Sequence, residues 1–223
     1  MQKESNTAIF NFQKEDEDLI ETLSNFLDKN AQRIYDFFEM TPKEKAVINI
    51  IPTKKEYDNF IRETRRLDAD YCVPRWMIGT CQDGVITYLS LNDFKNTSHS
   101  FDGDKCCEAL DYYKKTILHE YVHYVNECFN KAHNCQDTEK YLQEGIATYL
   151  SGQYDDKLLS LNATKEQLLN EDEYFYDDYY LITKYLVNNY DKSLVLEAFK
   201  NKEQARKLLI DNLFDQVQNL YKH

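Results

Sequence analysis

From residue 15 to 39 the apolar positions recur at helical spacing. Leu19, Ile20, Leu23, Phe26, Leu27, Ile34 and Phe38 make one stripe, with acids crowding the first turn where the helix dipole favours them. This predicts an amphipathic packing helix. Lys45 to Ile51 is instead a short β-branched run closed by Pro52, which predicts a strand. Thr53-Lys54-Lys55-Glu56 is a capping box opening a helix to about Leu67. Val73 to Thr80 fits neither period, whereas Gly84 to Leu91 reads as a strand entered through an Asp83-Gly84 turn. The polar stretch from Asn92 to Asp104 predicts a loop.

From about Lys105 to Phe129 the helical period returns, with Ile117, Leu118, Tyr121, Val122 and Val125 on one side. Lys131 to Asp137 turns the chain, and Asp137 or Thr138 caps a further helix that stops near Gly152. Thr164-Lys165-Glu166-Gln167 starts another, Asp177 to Asn189 forms the next, and Ser193 to about Lys222 supplies the last one or two. Sheet comes early and helices late. That order predicts an α+β fold, with an N-terminal subdomain over 1–130, a helical C-terminal subdomain over 131–223 and a cleft between them.

Only five Gly and three Pro, against eighteen Tyr and twelve Phe, fit a helix-rich, aromatic-packed chain. A net charge of −12 argues against nucleic acid or an anionic membrane as partner, because both demand clustered Lys and Arg. The chain shows neither a repeat nor an apolar run long enough to span a bilayer. Met1 to Asn6 lacks the apolar segment of a signal peptide, which points to a soluble cytoplasmic protein or to a secreted one whose signal has been removed. The six cysteines, Cys72, Cys81, Cys106, Cys107, Cys128 and Cys135, form no C-x-x-C pair, so free thiols are expected. An oxidising compartment would allow a Cys128–Cys135 bridge.

The chemistry concentrates at His119-Glu120-Tyr121-Val122-His123. On a helix, residues four apart share a face, so both imidazoles can direct a ring nitrogen at one ion, most plausibly a single Zn2+. Glu120 then sits where it can act on a water beside that ion without ligating it. A third ligand is needed. A second histidine motif further along this helix is ruled out, since Asn126 and Phe129 stand where Gly and His would be required. His133 and Glu144 are the candidates, and Glu144 lies in a helical stretch far enough downstream to fold back against the first, giving a His2Glu site. His133, beside Asn134 and Cys135, reads as a loop residue, and His99 and His223 receive no role.

His119-Glu120-x-x-His123, followed after twenty residues by Glu144-Gly145-x-Ala147, resembles the gluzincin metallopeptidases, the group of thermolysin and the minigluzincins. The resemblance is strongest over residues 117 to 150. It implies a zincin-like fold and a zinc-dependent peptidase in which His119, His123 and Glu144 hold the metal and Glu120 is general base and acid. Val85, Ile86, Thr87 and Tyr88 would form the sheet edge that pairs with an extended peptide or protein substrate. Tyr176, within Tyr174-Phe175-Tyr176, would donate to the oxyanion. Two features depart from the pattern: Thr148 stands where an acid often orients a histidine, and the Gly-Ala-Met-Glu-Asn segment of related aminopeptidases is absent, which favours an endopeptidase. The alternative is a non-catalytic zincin-fold binding protein or a structural zinc protein, neither of which has a use for Glu120.

Overall fold

The computed structural model describes residues 1–97, 106–135, 138–170 and 173–221. His99, Lys105, Asp137, Lys222, His223 and the side chains of Cys106 and Cys107 lie outside them. Two short strands, β1 (Gln2–Glu4) and β2 (Ala8–Asn11), open the chain and lead into α1 (Glu17–Phe38), which ends at Glu39 in the left-handed region. β3 (Ala46–Ile51) and α2 (Lys54–Thr64) follow, the Thr53 side chain accepting from the Glu56 N–H as a helix cap should. A hairpin of β4 (Gly79–Gln82) and β5 (Val85–Leu89) completes the sheet. Both Asp83 and Gly84 have positive φ, as a tight two-residue hairpin turn requires.

The strands form one mixed sheet in the order β1-β2-β3-β5-β4. β2, β3 and β5 are mutually parallel, and β1 and β4 run antiparallel at the two edges. The parallel pairs need crossovers, which α1 and α2 provide. Residues 1–11 carry two strands that the hydrophobic pattern did not predict. Short edge segments with polar residues give little periodicity, and β1 is Gln-Lys-Glu. α3 (Leu91–Thr97) likewise occupies the start of a stretch read as loop.

The remaining elements are helical: α4 (Cys106–His133), α5 (Lys140–Ser151), α6 (Lys165–Leu168), α7 (Tyr176–Asn189), α8 (Lys192–Lys200), α9 (Lys202–Leu208) and α10 (Phe214–Tyr221), the last two joined by a wider turn over Leu209–Leu213. The fold is therefore α+β, with its sheet early and its helices late. Glu139, not Thr138, stands at the start of α5; the Thr138 hydroxyl is taken up by Asn126, Asn130 and the Phe199 carbonyl. The division at 130/131 falls inside α4, and a single continuous core joins both parts of the chain.

α4 runs through the centre of the molecule. Tyr113, Ile117, Leu118, Tyr121, Val122 and Val125 are completely buried. Polar side chains tie it to the sheet: the Tyr113 hydroxyl donates to the Leu89 carbonyl at 2.6 Å, and Tyr88 and Thr116 share a buried hydrogen bond. At its far end Phe129 joins Phe37 and Phe38 of α1 and Phe199 of α8, with ring centroids 4.9 to 5.7 Å apart. Early and late parts of the chain lock onto the same helix there. Among the described residues, no helix is long and apolar enough to cross a membrane. Cys72, Cys81, Cys128 and Cys135 are free thiols.

α5 packs on both α4 and α7. The approach to α7 depends on Gly145, where an added Cβ would lie 2.6 Å from the Tyr179 carbonyl oxygen and collide with the Thr183 hydroxyl. Gly145→Ala is therefore expected to destabilise the protein by roughly 1–3 kcal/mol in urea unfolding, despite alanine's better helix propensity. Stability equal to wild type would show that the two helices do not need this contact.

Candidate active site

The spacing His119–His123 places both imidazoles on the face of α4 that looks into a cavity of about 480 Å³. α5 crosses this face and delivers Glu144. The Glu144 Oε2 lies 3.2 Å from His119 Nε2 and 3.4 Å from His123 Nε2, and the two Nε2 atoms are 3.0 Å apart. His119, His123 and Glu144 are the group of three metal-capable side chains found among the described residues. His133 is not brought to them; its Nδ1 lies 3.0 Å from the Phe129 carbonyl oxygen at the exposed end of α4.

The donors fit zinc. Tetrahedral bonds of ~2.0–2.1 Å place neighbouring ligand atoms about 3.3 Å apart, which is the spacing of these three. His119 Nδ1 lies 2.9 Å from Gln153 Oε1, and the tautomer that donates to this oxygen leaves the Nε2 lone pair for the site. His123 Nδ1 is buried and has no hydrogen-bond partner among the described residues. Two imidazole nitrogens and a carboxylate oxygen this close repel one another unless a cation or a proton lies between them. Burial pushes the Glu144 carboxyl up, but the imidazoles of His123 and His119 outweigh it and hold the group well below the usual carboxylate range.

Glu120 lines the same cavity and packs against β4, where a Cβ on Gly79 would come within 3.0 Å of its Cγ and run into the Tyr88 ring. A hydrogen bond from the Cys81 backbone reaches its carboxylate. Burial raises the Glu120 carboxyl to about 7, with His119 pulling it down and Glu144 pushing it further up. A carboxyl poised there can both accept and return a proton near neutral pH. Tyr176 also lines the cavity, its ring centroid 6.2 Å from that of His119, and burial raises its hydroxyl well above the ordinary value, so it stays a donor.

Val85, Ile86, Thr87 and Tyr88 do not form the edge expected of them. β5 is hydrogen-bonded to β3 on one side and β4 on the other, and Ile86, Thr87 and Tyr88 are buried. A strand covered this way cannot take a further strand. The edge beside the cavity is β4, whose Gly79, Thr80 and Cys81 line it. Its mixed Gly-Thr-Cys-Gln sequence carries no alternation, which is why the stretch before the turn fitted neither period.

Gln153 is the functional neighbour that sequence reasoning missed. Gly152 ends α5 in the left-handed conformation, φ 72°, and the reversal turns Gln153 back toward His119. The helix stop was legible at Gly152, but nothing marks the next residue as a histidine partner. Thr148 does not serve, since its hydroxyl bonds the Glu144 and Gly145 carbonyls of its own helix. Comparison of the chain with protein families, with characterised proteins and with solved structures yields no match. Gln153→Ala should weaken zinc binding by about 10- to 100-fold in competition with a chromophoric chelator. An unchanged affinity would remove Gln153 from the site.

Proposed function

We propose that this protein is a zinc-dependent peptidase of the gluzincin type with a zincin-like fold, and an endopeptidase. His119, His123 and Glu144 hold the metal. The observation that carries the reading is the convergence of these three donors at tetrahedral spacing on a cavity that Glu120 also lines. A purely structural zinc would be enclosed by four protein ligands, whereas three ligands facing an open cavity leave room for water and substrate.

When bound, zinc supplies Lewis acidity toward a peptide carbonyl and makes water acidic near neutral pH. The protein's own residues do the rest. The outer edge of β4 offers backbone groups to an extended peptide, which aligns the scissile bond along the cavity. Glu120, which lines the cavity beside the metal donors, takes the proton of the attacking water and passes it to the departing amine. Tyr176 donates its hydroxyl to the developing oxyanion, and Gln153 keeps the His119 ring in its ligating tautomer. The sequence has no Gly-Ala-Met-Glu-Asn segment before His119, which supports internal cleavage of the peptide.

Elemental analysis of protein purified without added zinc is expected to give about one zinc per chain, with a large loss in Glu144→Ala. Glu120→Gln should keep the metal and lose peptide hydrolysis by at least about 100-fold. Full metal retention in Glu144→Ala would overturn the ligand set. Retained hydrolysis in Glu120→Gln would remove Glu120 from the chemistry.

A further inference from the structure

β4 ends the sheet, so among the described residues one of its two sides is unpaired, and it borders the cavity. Its side chains alternate between the two faces. A Cβ on Gly79 would meet the Tyr88 ring and the Glu120 side chain, so that position looks toward α4 and the metal donors. Thr80 therefore looks to the other face. There Arg65, the residue that ends α2, donates from Nη2 to the Thr80 hydroxyl at 3.3 Å. Arg65 nevertheless lines the cavity together with Glu120 and Glu144, so its side chain reaches around the open edge of the sheet. Among the described residues lining the cavity it is the only Lys or Arg. A guanidinium carries five N–H donors, and the bond to Thr80 uses one. Carboxylates are in surplus in a chain of 39 acids and 27 bases, and Lys45, Lys165 and Arg206 each take one. Arg65 takes none among the described residues and is instead held at the edge where a peptide would lie.

From this geometry we infer that Arg65 is a specificity-determining residue that recognises an acidic side chain, Glu or Asp, on the substrate residue lying opposite Thr80 along β4. The inference rests on the peptidase reading and adds a substrate class to it. A peptide strand added to the open edge puts the side chain of the residue facing Thr80 on the same face as Thr80, with Cβ atoms ~4.5–5.5 Å apart. Arg65 comes from that face, and a carboxylate placed there meets the unused N–H groups of the guanidinium. The peptide residues on either side point to the opposite face, toward α4 and the metal donors, so strand alternation separates the acidic side chain from the metal position. Arg65 also offsets the repulsion that a chain of net charge −12 exerts on an approaching acidic peptide.

Zinc-loaded Glu120→Gln, which holds peptide without cutting it, is brought to equilibrium by dialysis against acetyl-Ala-Ala-Glu-Ala-Ala-amide, the same peptide with Gln at its centre, and an acetylated penta-alanine with a free terminal carboxylate. The Glu peptide is expected to bind about fivefold or more tightly than the Gln peptide at low salt, the ratio falling toward one in about 1 M salt. Adding Arg65→Gln should bring the ratio close to one, and Arg65→Lys, which keeps the charge but not the fork, should retain part of it. Equal binding of the Glu and Gln peptides, binding of neither, or a preference that survives Arg65→Gln, as direct capture of the carboxylate by zinc would give, overturns the inference. If only the free-carboxylate peptide gains from Arg65, the guanidinium reads a chain terminus and the side-chain assignment falls. Hydrolysis of longer peptides by the wild-type zinc protein is scored separately. Discrimination without hydrolysis sinks the peptidase reading and leaves Arg65 as an acidic-peptide contact; hydrolysis with no discrimination does the reverse.

Discussion

Two imidazoles and a carboxylate are held with their facing atoms within 3.0–3.4 Å of one another, and the packing around them fixes that spacing. Two nitrogens lie on one buried helix and cannot separate without unwinding it. The oxygen rides on a second helix whose distance from the first is set on its far side, where Gly145 lets α7 press close. Rotation of α5 by a fraction of a turn would carry Glu144 out of range. The left-handed stop at Gly152 and the Gln153 bond to His119 oppose that rotation from the end of the helix. A cation taken up there would gain from the preorganisation already in place.

The same helix sets the chemistry on the sheet side. Glu120 follows His119 by one residue, so it points away from the ligand face just enough to meet β4 and not the metal position. Its environment is apolar on one side and carboxylate-bearing on the other. Burial and Glu144 both raise it, and it reaches about 7 even with His119 opposing them. The two carboxyls are thus differentiated by their surroundings: the imidazoles hold the Glu144 carboxyl down, while burial holds that of Glu120 up.

Much of this was legible because helical spacing is rigid. Two histidines four apart on an apolar-striped segment must share a face, and α1, β3, α4 and α7 announce themselves by period alone. What sequence could not give was adjacency. Whether β5 lies at an edge depends on which segment pairs beside it, and the partner β4 is three half-buried residues and an exposed one, without alternation. The continuous burial of Ile86 to Leu89 is the mark of an interior strand, but Val-Ile-Thr-Tyr-Leu reads equally well as an edge strand. β1 and β2 were hidden by their brevity, and Gln153 by depending on a chain reversal one residue earlier. Tyr176 was distinguishable from its many tyrosine neighbours only by where α7 begins.

The β4–β5 turn has a further consequence. Glu127, two turns of α4 beyond Glu120, accepts from the Gly84 N–H at 2.7 Å and from the Cys81 thiol, while Glu120 accepts from the Cys81 backbone. The hairpin is thereby riveted at two points to a helix that cannot stretch, whose pitch advances ~1.5 Å per residue against ~3.4 Å along the strand. An inserted residue in this hairpin would have no slack to occupy and would slide the strand past its rivets. The connection from α2 to β4 is anchored differently, by burial of Val73 and Ile78 in the core and by the bond of the Leu89 N–H to the Ile78 carbonyl. The hairpin is thus a segment whose length is fixed to the residue by the helix it is fastened to.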